Sequence, residues 1–130
     1  KSKFFHSFQD GLEDIYKKEW NSLFQLNLEI INFFKAYFNI KKKLYISSEL
    51  NLTGYGNEKL VNICKYFDAK YFVVKKNTED YHPKEYFNNY GIDFKYHENT
   101  HSEYKQMGNI FIPNLSILDY AANNGNRLII

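Results

Sequence analysis

The chain has 130 residues, one domain's worth, and its make-up of 44% hydrophobic and 25% charged residues fits a globular protein rather than a disordered or fibrous one. A net charge of +2, carried almost wholly by lysine with Arg127 as the lone arginine, argues against a nucleic-acid partner. One cysteine, Cys64, excludes an internal disulfide, and no apolar run approaches the ~20 residues of a membrane span. With no secretory signal either, a cytoplasmic location is expected. Lys1 in place of methionine predicts that the chain is a processed, tagged or truncated piece of something longer. Aromatics reach 19%, with 12 Phe and 12 Tyr, and core filling under a bias toward AT-rich codons accounts for them most simply.

Residues 3–40 read as helical. Phe4, Phe5, Phe8, Leu12 and Ile15 recur at helical spacing, and then Ser22 with Gln25 forms a capping box. Beyond it, Leu23, Leu26, Ile30, Phe34 and Phe38 mark one apolar face. A capping box inside the pattern divides it into two helices.

After Ile40 the period changes. Short runs rich in β-branched and aromatic residues at Leu44 to Ser47, Tyr71 to Val74, Ile92 to Tyr96 and Ile110 to Ile112 predict strands. Between them, Asn57 is placed to cap a helix whose Leu60, Ile63, Cys64 and Phe67 form one apolar stripe. Pro83 suits the start of another helix and Gly91 its stop; Ser116 with Asp119 opens a last one, ended by Gly125. The alternation predicts an α/β fold: a small, mostly parallel sheet flanked by helices, with an N-terminal helical pair. A single domain spans 1–130, helical over 1–40 and alternating over 41–130.

The loops leaving the carboxyl ends of such strands are where ligands sit. Here they are Ser48 to Gly56, Lys75 to His82 and His97 to Gly108. Within them, His97-Glu98-Asn99-Thr100-His101 satisfies the HExxH pattern of zinc peptidases. The chemistry needs both histidines on one helical face. This motif instead leaves a strand pattern and contains two poor helix formers, so no zinc is expected at His97 and His101. Gly54-Tyr55-Gly56 lacks the third glycine of a dinucleotide fingerprint and reads as a plain loop. Cys64, on an apolar stripe, reads as core rather than nucleophile.

Several segments, in order, resemble the WbqC-like family of bacterial O-antigen and surface-polysaccharide biosynthesis proteins. They are Ile46-Ser47-Ser48-Glu49-Leu50, Lys59 to Lys65, Tyr86 to Ile92 and Tyr104-Lys105-Gln106. The most specific is Phe111-Ile112-Pro113-Asn114-Leu115-Ser116-Ile117-Leu118-Asp119, similar to an FxPxLSIxD signature and followed by Asn124-Gly125. Leu23 to Ile40 is similar to the preceding helix. The Gln-Pro and Trp-Asn-Arg-type motifs that usually open such proteins do not occur, so the resemblance implies the C-terminal part of a longer protein, with any site built on that opening segment incomplete here.

The resemblance implies a transferase that moves an acyl or aminoacyl group onto a nucleotide- or lipid-linked amino sugar; no cofactor or metal is expected. Its pocket is expected to hold Ser48, Glu49, Tyr81, His97, Tyr104, Gln106 and Asp119. Acid/base work would fall to Glu49 or His97, and Tyr81 or Tyr104 could stack on a sugar face. The alternative is a non-catalytic module that binds a glycan, nucleotide or protein partner. Ser116 and Asp119 serve equally well as a structural cap or as ligand-binding groups. The sequence leaves the oligomeric state open.

Overall fold

A computed structural model describes residues 2–76, 81–97 and 102–128. Their contacts divide the chain into two compact units, Lys1–Lys42 with His101–Ile130, and Lys43–Thr100.

In the first unit, a 3-10 turn (Phe5–Ser7) leads into α1 (Gln9–Lys17) and, after a break, α2 (Leu23–Tyr37). The break is well supplied with caps. Ser22 Oγ accepts from the Gln25 amide at the start of α2, and the Trp20 indole donates to the Ile15 carbonyl near the end of α1. Most of the marked stripes are turned inward, with Leu23 and Phe5 left exposed: Phe8, Phe34 and Phe38 join Ala121 and Ala122 of α5 (Ile117–Asn124) in one core, and Leu12 and Ile30 pack against it. Phe8 meets Phe34 and Tyr37 edge-on, at 5.9 and 5.4 Å between ring centres. Gly11 permits the close crossing, since a Cβ there would lie 2.6 Å from the Phe33 ring. The helical pair expected over 3–40 is therefore present, and its apolar faces are completed by a helix about 80 residues further along the chain.

The second unit is built on α3 (Gly56–Tyr66), β1 (Tyr71–Lys75), α4 (Lys84–Asn88) and β2 (Asp93–His97). β1 and β2 pair in parallel, Tyr71 opposite Asp93 and Lys75 opposite His97. Parallel neighbours need a crossover, and α4 lies on it. Phe87 of α4 is wholly buried, stacked on Phe72 of β1 at 5.0 Å and near-parallel, with Val61, Cys64 and Ile92 completing the core. Pro83 is the N-cap of α4, and Gly91 follows the helix at φ +73°.

Two of the four expected strands form. Leu44 to Ser47 is instead open chain entering a 3-10 turn (Ser47–Glu49), with Tyr45 packed on Phe67 at 4.6 Å. Ile110 and Ile112 are exposed, and Ile112 has both of its backbone groups bonded by the Gln106 side-chain amide, so a side chain replaces the ladder. The α/β class stands, with a sheet of two parallel strands among the described residues.

Candidate functional site

The polar groups of the first unit gather around α5. Ser116 is its N-cap, and its hydroxyl accepts from Leu118 N–H rather than from Asp119 N–H as a capping box would require. That leaves the Asp119 carboxylate for other partners. The Tyr104 hydroxyl donates to its Oδ2 at 2.7 Å, and the Asn123 amide donates to its Oδ1 at 3.2 Å and to its backbone carbonyl at 2.9 Å. Burial, and then the bond to Asp119, push the Tyr104 hydroxyl above its ordinary value, although Gln106 draws it the other way. Tyr104 is therefore a protonated donor at neutral pH. Its ring sits edge-on to Phe111 and Tyr120 at 5.3 and 5.1 Å.

Beside this group lies a concavity of about 440 Å³, lined by Ser2, Lys3, Lys105, Gln106, Met107 and Asn123. Gln106 turns both ends of its amide to Ile112, donating to the carbonyl at 2.9 Å and accepting from the N–H at 2.8 Å. It thereby shapes the loop that forms one wall. Tyr104, Gln106 and Asp119, three of the expected pocket residues, thus lie on one loop and helix start, the first and last in direct contact.

The other four belong to the second unit. Ser48 and Glu49 lie exposed on the 3-10 turn, His97 is exposed as the last residue of β2, and Tyr81 is 76% exposed. No direct bond joins these four side chains to one another among the described residues. His97 ends the strand instead of following it, paired in register with Lys75. The remaining residues of the HExxH pattern, 98–101, lie outside the described residues.

Asn57 departs from its expected role as a cap. The helix opens one residue earlier, at Gly56, and the Asn57 amide reaches 24 residues ahead to donate to the Tyr81 carbonyl at 3.1 Å. With its amide nitrogen so engaged, its oxygen faces His82 Nδ1 at 2.8 Å. That orientation makes Nδ1 the donor in this contact. Sequence patterns do not single out His82, because an Asn at a helix start reads as a cap, whatever stands opposite it in the fold. Cys64 is buried, and burial pushes its thiol up, as a core residue requires.

No helix among the described residues is long and apolar enough to cross a membrane. The signature around Phe111 to Asp119, now seen as a clip, a cap and a tyrosine–carboxylate pair, belongs to a known kind of protein. The chain is a member of the WbqC-like protein family, whose family model matches residues 1–129 and so reaches through both N-terminal helices. Among curated proteins it is similar to the uncharacterized protein Rv1507c of Mycobacterium tuberculosis, 28% identical over 123 residues, which are 93% of this chain and 53% of that protein. The chain spans about half the length of this relative. No solved structure matches it.

Proposed function

We propose that this chain is part of a cytoplasmic transferase of surface-glycan biosynthesis. It moves an acyl or aminoacyl group onto the amine of a nucleotide- or lipid-linked amino sugar. The observation that supports this reading most is the Tyr104–Asp119–Asn123 group beside a polar concavity, within the segment that carries the family signature. Such a group suits a sugar. The Tyr104 phenol and the Asn123 amide hold the Asp119 carboxylate in place, and its remaining lone pairs can accept from sugar hydroxyls.

In the proposed reaction the free-base amine of the sugar attacks the acyl carbon of an activated ester or thioester donor. The carbon–nitrogen bond forms as the carbon–oxygen or carbon–sulfur bond breaks, and the proton lost by the nitrogen ends on the departing oxygen or sulfur. Glu49 and His97 are proposed to accept and return that proton. Ser48 and Tyr81 are proposed as substrate-binding residues of the second unit, and Tyr104, Gln106 and Asp119 as those of the first. Direct transfer needs no protein nucleophile, in keeping with a buried, unreactive Cys64.

The test is surface glycan from a deletion strain complemented with the complete protein or with its E49Q and H97N variants, analysed by mass spectrometry. Sharp loss of the modified sugar in both variants is expected. Unchanged product would sink the assignment of those two residues. A second reading, a non-catalytic glycan- or nucleotide-binding module, draws on the exposed rings of Tyr55 and Tyr81, at 92% and 76%. Sugar nucleotide bound by the complete protein without turnover would favour it.

A further inference from the structure

A second concavity, of about 580 Å³, opens in the first unit between the N-terminal turn and the C-cap of α5. That volume is within the range of small-molecule sites. Phe4, Ser7 and Tyr37 form one side, Asn124 and residues 125–127 the other, and Lys3 stands at the edge.

Most of its polar groups are already committed to holding the walls. Ser7 Oγ donates to the Phe4 carbonyl at 2.6 Å. The Tyr37 hydroxyl must then be the donor in its 2.6 Å contact with Ser7 Oγ. Asn124 donates to the Tyr120 carbonyl at 3.1 Å, and the Tyr120 hydroxyl to the Arg127 carbonyl at 3.0 Å. Phe4 N–H donates to the Ala122 carbonyl at 2.9 Å, and Gly125 N–H to that of Ala121 at 2.8 Å. The walls are therefore preformed.

Besides the Asn126 amide, the remaining side-chain groups are positive. Lys3 and Arg127 both line the concavity, and neither has a carboxylate within ion-pair distance among the described residues. The Lys3 ammonium lies 5.0 Å from the centre of the Phe4 ring, a contact that leaves its charge unneutralised. Lys3 also lines the neighbouring concavity, where Lys105 adds a third cation, and no acidic residue is among the described lining of either. Cations at a helix C-terminus offset its dipole, but that end carries only about half a unit of negative charge. Two full charges here, and three across the adjoining concavities, exceed it. The guanidinium is a rigid two-pronged donor matched to phosphate oxygens, and Lys3 is a mobile point charge beside it.

We propose that this concavity binds the diphosphate linking the sugar to its carrier, with Arg127 and Lys3 as the anion-binding residues. The proposal rests on the sugar substrate put forward above, and it specifies which part of that substrate this unit holds. A nucleotide sugar and a lipid-linked sugar share the same diphosphate, so the site's chemistry is common to both carriers.

The test is calorimetric titration of the complete protein with inorganic pyrophosphate at low and high salt, repeated with R127Q and K3Q. Both side chains are exposed, so an unchanged thermal midpoint is expected to show that the variants fold. Pyrophosphate should bind, more weakly at high salt, and lose about tenfold in affinity in R127Q. Absence of binding, or equal affinity in wild type and both variants, overturns the proposal. Parallel titrations use uridine diphosphate N-acetylglucosamine and farnesyl diphosphate N-acetylglucosamine, and the one weakened by R127Q identifies the carrier. If pyrophosphate binding depends on Arg127 but neither sugar diphosphate binds, the anion site stands and the substrate reading falls. If a sugar diphosphate binds equally to wild type and R127Q, the substrate reading stands and this site falls.

Discussion

Replacing Asp119 with alanine removes the acceptor for Tyr104 and an acidic group from the first turn of α5. A hydrogen bond to a charged acceptor contributes about 1.5–3 kcal/mol when buried. Asp119 and Tyr104 are half-buried, so water can replace part of it and about 1–1.5 kcal/mol remains. Loss of a favourable charge near a helix N-terminus adds about 0.3–1 kcal/mol. The Asn123 amide keeps its bond to the residue 119 carbonyl, and Ser116 still caps the helix, so neither adds much. D119A should therefore lower stability by about 1.5–2.5 kcal/mol, and Y104F by about 1 kcal/mol. The double variant should fall short of their sum by about 1 kcal/mol, because both remove the same bond. Urea denaturation of the four proteins measures all three quantities. If D119A stays within about 0.5 kcal/mol of wild type, or the two changes simply add, the pair does not hold the fold together and a purely ligand-directed Asp119 gains ground.

The raised Tyr104 value gives a pH test. The folded state favours the protonated phenol, so its contribution is complete below about pH 10 and lost as pH rises through the folded value. The stability advantage of wild type over Y104F should shrink as pH rises above about 10 and through the raised folded value; a constant or growing advantage would contradict the sign. Gly125 has φ +71° and ψ −150°, and an added Cβ would lie 3.1 Å from the Phe4 ring, so G125A should cost about 1–3 kcal/mol. Gly91 shares a positive φ but has open space around it, and G91A should cost less; equal costs in denaturation would remove the Phe4 contact from the explanation. Cys64 should react with a thiol reagent at pH 7.5 only as fast as the protein opens, and immediate stoichiometric labelling of native protein would show that its burial is overstated.

Much of the candidate site is legible one residue type at a time, but its wiring is not. Asp119 stands out from sequence as a polar residue in a signature, with a cap and a ligand as equal alternatives. Which of these it serves depends on what lies opposite its carboxylate, and that is Tyr104, 15 residues away. Gln106 suits a sugar contact by residue type, yet its amide completes the backbone of Ile112. Asn57 looks like a cap and instead orients His82 across 25 residues. A side chain with two or three hydrogen-bonding positions fits several partners equally well, and only the folded chain chooses among them.

By itself the sequence determined the local elements whose signals act within a turn or two. The Phe8, Leu12 and Ile15 spacing gives α1, Ser22 starts α2, Pro83 and Gly91 bracket α4, and the β-branched and aromatic runs Tyr71 to Val74 and Ile92 to Tyr96 give the two strands. Each follows from backbone sterics, helix-end hydrogen bonding or the spacing of apolar residues. Tertiary structure decided the rest. Whether Leu44 to Ser47 and Ile110 to Ile112 become strands depends on a neighbour with free backbone groups, and packing on Phe67 and a clip from Gln106 take its place. The grouping of 1–42 with 101–130 follows from apolar faces of helices far apart in sequence that can be removed from water only against one another. Lys3 and Arg127, at opposite ends of the chain, line one concavity for that same reason.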